Sequence, residues 1–250
     1  MSSTSPADPA DGRRRRSGFR FVRDLVVIIV IALLASFLIK TFLVRSFYIP
    51  SASMENTLQG EPGHHDRILV DELVPKAIPL QRGDVIVFTD PGNWLAGEQA
   101  IVTPPTSPVG AATEWVLSLV GLSGQDADDH LVKRVIGLPG DRVTCCNELG
   151  QMSVNGVPLD EPYVRIPAGL TDVSRDPFTT TVPAGGVWVM GDNRYDSSDS
   201  RFHTGTPTHG AVPVTDIVGR AFVISWPANR WTWLSNYPET FAAIPVAARE

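Results

Sequence analysis

The chain has 250 residues, 43% of them hydrophobic and 19% charged. That is enough apolar material for one sizeable domain or two small ones, and it excludes wholesale disorder. Glycine and proline number 21 each, more than a helical bundle uses, which favours short elements joined by many turns. The net charge of −6 is unevenly placed: residues 1–23 hold six arginines against two aspartates, a net +4, leaving −10 on the remainder. So acidic a body excludes a nucleic-acid partner, because phosphate recognition needs positive charge on the folded surface.

Residues 1–23 are rich in Ser, Pro, Asp and Arg and read as a disordered basic tail. Leu25 to Ile39 then runs without a charge, Lys40 interrupts, and Thr41 to Val44 resumes the apolar run. Crossing a bilayer takes roughly 20 residues. Leu25–Val44 reaches that length as one helix if Lys40 snorkels to the headgroups. A core helix would not be apolar on every face, and a cleaved secretory signal would carry a small-x-small site beyond the run, where Phe42-Leu43-Val44-Arg45 stands instead. Residues 24–45 are therefore expected to form one uncleaved transmembrane signal anchor. Six arginines before it, against Lys40 and Arg45 after it, place the N-terminus in the cytoplasm and the body outside.

Beyond Ser46 the sequence shows strand-like runs bounded by turn residues: Arg67–Val70, Asp84–Phe88, Leu131–Ile136, Gly186–Met190 and Ile217–Ser225. The gaps mostly lack amphipathic helical patterns, so a mainly β, antiparallel fold is expected. Gln151–Pro158 reads as a hairpin turning at Asn155-Gly156. Pro91–His130 is the exception; within it Ala111–Leu122 could make one apolar helix, packed on the core or resting on a membrane. The tail carries Trp231, Trp233 and Tyr237, which suit either a membrane-interface rim or the cover of a sheet edge.

The sequence contains no HExxH, GxSxG, phosphate loop or dinucleotide fingerprint, so no cofactor and no metal are expected. His64-His65-Asp66 lacks a recognisable further ligand and reads as surface loop. The two cysteines, Cys145 and Cys146, are adjacent, which is not zinc spacing. Three lysines stand against eighteen arginines, an imbalance that codon bias explains in large part. Of the three, Lys133 falls inside a strand with Leu131 and Val135 on its own face and Arg134 on the other. A buried lysine loses its charge more readily, as an arginine cannot, and a neutral amine is a general base. Ser51 and Ser53 follow the apolar segment closely and by themselves would be turn or cap residues.

Four separated motifs occur in order: Pro50-Ser-Ala-Ser-Met-Glu-Asn-Thr-Leu58, Arg82-Gly-Asp-Val-Ile-Val-Phe88, Lys133-Arg-Val-Ile-Gly-Leu-Pro-Gly-Asp141 and Gly191-Asp-Asn-Arg-Tyr-Asp-Ser-Ser-Asp-Ser-Arg201, with Val218-Gly-Arg-Ala221 beyond them. In this set the chain resembles the type I signal peptidases, membrane-anchored Ser/Lys proteases, from about Phe47 to Trp226. The resemblance implies a signal-peptidase-like antiparallel β-sheet catalytic domain over 46–141 and 184–226, a small inserted β subdomain over 142–183 and a C-terminal tail over 227–250. It implies removal of N-terminal signal peptides from exported preproteins after Ala-x-Ala, at the bacterial plasma membrane and close to the secretion translocon.

The same resemblance assigns Ser53 as nucleophile and Lys133 as general base, the Ser/Lys form of serine-protease logic. It gives the oxyanion hole to the Ser53 backbone N–H and the Ser51 hydroxyl, the orienting of Lys133 to Ser197, and structural support to Asp199 and Arg201. Ile49, Pro50, Leu131 and Val132 are implied as walls of shallow pockets that admit alanine and exclude larger side chains. The signal peptide of the preprotein and the lipid bilayer are the expected partners. The stretch from Phe88 to Lys133 is longer than in compact family members, and Cys145 and Cys146 are left as a vicinal disulfide or as thiols. Three rivals compete: a Ser/Lys autoprotease of the self-cleaving repressor type, a non-catalytic anchored binding module, and a triad of Ser53 with His203 and an aspartate.

Overall fold

The computed structural model describes residues 21–34, 43–61, 63–92, 94–95 and 130–245. Two compact units divide the chain at 1–43 and 44–250. In the first, residues 21–34 are helical and exposed along their whole length, including a run of aliphatic side chains from Leu25 to Leu34. Among the described residues no helix is long and apolar enough to cross a membrane. The expected anchor over 35–42 lies outside the described residues, as does the Ala111–Leu122 segment.

The helix already includes Phe21–Arg23, which the sequence assigned to a disordered tail. At the other end Val44 and Arg45, expected as the anchor's last residues, open strand β1 (Val44–Tyr48). The run Val-Arg-Ser-Phe-Tyr alternates its faces and sinks Phe47 into the core, a period-2 pattern that a helix cannot use.

The second unit continues with β2 (Gly60–Glu61), β3 (His64–His65), β4 (Arg67–Asp71), β5 (Val85–Thr89), β6 (His130–Gly137) and β7 (Arg142–Cys145). After these come β8 (Ser153–Val154), β9 (Val157–Pro158), β10 (Phe178–Thr181), β11 (Gly186–Met190), β12 (Val212–Pro213), β13 (Ile217–Trp226) and β14 (Thr232–Trp233). Eight strands form one sheet in the order β1-β4-β13-β5-β6-β11-β12, with β14 on β13, and every pair is antiparallel. Of the six strands of five residues or more, the sequence marks all but β1, with ends shifted by at most a residue.

Both faces of this sheet are covered. Val85 and Val87 join one apolar cluster with Phe47, Ile49, Met54 and Ile68, while Ile86 and Phe88 join another with Leu131, Val135 and Val189. Two-sided burial is why the β5 sequence is continuously apolar instead of alternating. Residues between β6 and β11 build a four-stranded antiparallel sheet in the order β10-β7-β8-β9. Its Val143, Met152 and Val154 share a core with Ile136, Trp188 and Met190 of the large sheet and with Phe241 and Ile244 of the tail. Asn155 (φ +53°) and Gly156 (φ +82°) make the β8–β9 turn; both central residues are left-handed, as a two-residue hairpin of this twist requires. Tail strand β14 pairs with β13 at Val223 and Ile224, beyond the stretch of β13 that pairs with β5, and Trp231 and Trp233 stay exposed.

Register positions the chemistry. On the central strand β6, Lys133 lies opposite Ile86 of β5 and Arg134 opposite Met190, the last residue of β11. The segment 191–201 therefore leaves β11 beside Lys133 and Arg134. On the other side, β1 delivers the chain to a 3-10 turn at Ala52–Met54. Gly60 packs against this approach so tightly that a Cβ there would overlap the Ser51 backbone.

Candidate active site

Ser53 occupies the 3-10 turn, and both it and the preceding residue are held through their carbonyls. The Asn193 backbone N–H donates to Ser53 O at 3.1 Å and its side-chain amide donates to Ala52 O at 3.2 Å. The turn then directs the Ser53 hydroxyl at β6. Lys133 Nζ lies 2.6 Å from Ser53 Oγ, and Ser51 Oγ lies 3.1 Å from the same oxygen. Ser53 is 8% exposed and Lys133 only 3%, so water has little access to the contact. When protonated, the amine donates to Oγ; when neutral, it can accept the hydroxyl proton across the same 2.6 Å. Two residues that lie 80 positions apart in sequence are thus in hydrogen-bond contact.

Ser197 is buried, and across Gly191 its hydroxyl approaches the Ser53 carbonyl. Its hydroxyl donates to Asp199 Oδ2 at 2.8 Å, leaving its oxygen lone pairs available to a donor. A Cβ added to Gly191 would overlap both Ser197 Oγ and the Ser53 carbonyl oxygen, so only glycine permits these two to approach. Asp199 also accepts from the Gly191 N–H at 3.0 Å and takes a two-pronged contact from Arg201, Nε and Nη2 each at 2.8 Å. Burial opposes the Asp199 charge, but the hydrogen bonds and charge of Arg201, with Gly191 and Ser197, outweigh it and hold the carboxyl below its ordinary value.

The residues expected to wall the substrate pockets are unevenly exposed. Ile49 and Leu131 are 2% and 6% exposed and sit in different apolar clusters, whereas Pro50 is exposed and Val132 half-buried. The Ile49 N–H donates to Asp66 O, and His65 Nδ1 meets Ile49 O, so this stretch of backbone is fixed. Asp66, grouped in the sequence with two surface histidines, is fully buried instead, where Arg230 grips it through Nε and Nη2. Among the described residues no group of three or more His, Cys, Asp or Glu could hold a metal ion.

His203 is engaged elsewhere: its Nε2 lies 3.0 Å from Ser198 Oγ and its ring stacks on Trp94. Burial pushes its pKa down, and the positive charge of Lys133 acts in the same direction. Cys145 and Cys146 are joined as a disulfide.

Three supporting residues escaped the sequence reading. Arg134 is fully buried and binds Asp192 through Nε (2.8 Å) and Nη2 (2.7 Å), donates to Gly83 O, and lies under the rings of Tyr163 and Tyr237. Arg194, also buried, makes two contacts to Glu161 and donates to Gly191 O. Asn193 holds the nucleophile's turn. Their signal was present, since all three lie within the matched motifs, but periodicity has no way to separate a buried charge from a surface one.

Against known proteins, residues 22–226 match the family model described as "Signal peptidase, peptidase S26". The chain is 40% identical over 227 residues to the "Probable signal peptidase I" of Mycobacterium leprae, covering 83% of this chain and 77% of that protein. It is 41% identical over 225 residues to the "Signal peptidase I" of Mycobacterium tuberculosis, covering 84% and 74%. The "Probable signal peptidase I-1" of Synechocystis is 30% identical over 221 residues, covering 88% of this chain and 91% of that protein.

Proposed function

The chain belongs to the signal peptidase family, peptidase S26, and on that footing we propose that it is a membrane-anchored serine endopeptidase that removes N-terminal signal peptides from exported preproteins after Ala-x-Ala. The observation that carries the reading is the buried 2.6 Å contact between Lys133 Nζ and Ser53 Oγ.

In this reaction the neutral Lys133 amine takes the Ser53 hydroxyl proton as Oγ attacks the scissile carbonyl. The protonated amine then returns that proton to the leaving nitrogen, and water releases the acyl group by the reverse sequence. The Ser53 N–H and the Ser51 hydroxyl stabilise the oxyanion. Ser197, held by Asp199, accepts from Lys133 and fixes a side chain that otherwise has four rotatable bonds. Ile49, Pro50, Leu131 and Val132 shape the small pockets, and the substrate lies alongside as an extended strand.

The uncharged run that begins at Leu25 supports a single membrane anchor, with the N-terminus in the cytoplasm and the catalytic unit outside. Anchoring enzyme and signal peptide to one bilayer raises their effective concentration. The site lies near the outer leaflet, where preproteins emerge from the translocon.

The test is cleavage of an Ala-x-Ala preprotein by purified protein. Wild type should cut it; Ser53→Ala, Lys133→Ala and Lys133→Arg should not, at unchanged thermal stability for the first. Arginine stays protonated and cannot serve as the base, so turnover by Lys133→Arg would overturn the assignment.

A further inference from the structure

A cleft of about 430 Å³ opens on the carbonyl side of the nucleophile, lined by charged side chains that have no part in the proton transfer. Its wall begins at the catalytic turn itself. Asn193, which holds Ser53 O and Ala52 O, lines it; so do Glu55, two residues past Ser53, and Asp196, the residue before Ser197. The far wall is Arg165, whose backbone is bridged to Asn193 and whose N–H donates to Asp192 O at 2.8 Å. None of Ile49, Pro50, Leu131 or Val132 lines this space.

Resting on the peptidase reading above, we infer that this cleft receives the residues that follow the scissile bond, and that it favours a cationic side chain there over an anionic one. An extended substrate advances about 3.3 Å per residue. Once past Ser53, the second and third residues of the mature chain need a surface of their own. This cleft reaches the nucleophile through Asn193, which lines it and holds the carbonyls of Ala52 and Ser53.

The preference follows from which charges are already engaged. Glu55 and Arg165 form an ion pair and neutralise each other. Arg175 is turned onto Tyr195, donating to its carbonyl at 2.8 Å and lying 5.2 Å from its ring; with neutral partners only, it keeps its positive charge. The carboxylates of Glu61 and Asp196 line the same cleft and have neither a side-chain hydrogen bond nor an ion pair among the described residues. Glu61 and Asp196 together carry −2 against the +1 of Arg175, so the cleft has a net charge of −1. A lysine or arginine is attracted, and a glutamate is repelled.

Matched preproteins that differ only in having Lys, Gln or Glu at the second or third mature position provide the test, cleaved by the full chain at low salt. Wild type should process the lysine form with a kcat/KM about three- to tenfold above the glutamate form at one of these positions, with glutamine between, as one or two partly screened contacts allow. Glu61→Gln/Asp196→Asn should bring that ratio to one or below, because Arg175 keeps its charge in the cleft. A two-charge control outside the cleft, Glu148→Gln/Asp216→Asn, should preserve it and so separate the cleft from the acidity of the whole body. Equal rates for all three substrates, or a ratio that survives in the cleft variant, would overturn the inference while leaving the peptidase reading in place. Failure of wild type to cleave any of the substrates would overturn both.

Discussion

Replacing Asp192 by asparagine isolates the cost of the buried ion pair that sits behind the catalytic strand. Asp192 takes two contacts from Arg134, at 2.8 and 2.7 Å, and the two side chains are 1% and 0% exposed. Asparagine keeps the shape but removes the charge and turns an amide donor toward a guanidinium that has only donors. A buried pair broken on one side costs about 3–5 kcal/mol, because the remaining charge is left uncompensated away from water. Gly83 O, Ser235 O and the faces of Tyr163 and Tyr237 still surround Arg134, which places the expected loss near the lower end, about 3 kcal/mol. At about 2–4 °C per kcal/mol for a domain of this size, Tm should fall by roughly 6–12 °C. Near-UV circular dichroism of the full chain in detergent measures it. The paired variant Arg134→Met/Asp192→Leu, which removes both charges, should lose less than half as much. Asp192→Asn melting within about 2 °C of wild type would refute the premise that this pair is desolvated and mutually dependent.

Ser51→Ala should lower kcat by about 100-fold or more, the usual loss of one oxyanion donor, with a smaller change in KM; single-turnover cleavage decides it, and a kcat within threefold of wild type would remove Ser51 from the oxyanion hole. Gly191→Ala should cut activity by about 100-fold, because the added Cβ overlaps Ser197 Oγ and Ser53 O and so misplaces both. Circular dichroism should show that variant folded, and full activity would contradict the close approach. Asp199 has a folded-state pKa below its ordinary value of 3.8, so its stabilisation is present above that pH and is lost as pH falls through the folded value. Melting scans should accordingly show the advantage of wild type over Asp199→Asn narrowing below about pH 3.8, and a constant gap down to pH ~2 would contradict the sign.

What the sequence discloses about this fold depends on how much of each element's fate is local. Strands β5, β6, β11 and β13 are runs of branched apolar residues bounded by turn formers, and Asn155-Gly156 carries its own left-handed geometry; each is readable from a few neighbours. Six strands have only two residues: β8 and β9 are marked by the turn between them, while β2, β3, β12 and β14 are too short to have a period and exist only because a partner lies alongside. The join at Val44 is hidden from the sequence for a related reason: an apolar stretch runs on up to the strand that Val44 opens, with no turn residue to mark the change of periodicity. For the site, the types and order of residues pointed to Ser53 and Lys133, but the means of holding them did not show. Asn193 holds Ala52 from 141 positions away and Arg134 holds Asp192 from 58, and nothing near them in sequence marks those contacts.

The arginine excess then acquires a physical use beyond codon bias. Four two-pronged pairs tie distant segments together, Arg82 to Asp141, Arg134 to Asp192, Arg194 to Glu161 and Arg230 to Asp66, and a fifth, Arg201 to Asp199, braces the segment that carries Ser197. Only a planar guanidinium makes that double contact, and it stays charged however deeply it is buried. A scaffold fastened this way is insensitive to the proton traffic at its centre. Lysine has the opposite property, since desolvation moves its charge state. Among the described residues Lys76 has its side chain 63% exposed, while Lys133 is 3% exposed and lies against a hydroxyl. The division is chemical: permanent cations hold the segments in place, and the buried lysine stands where a proton has to leave and return.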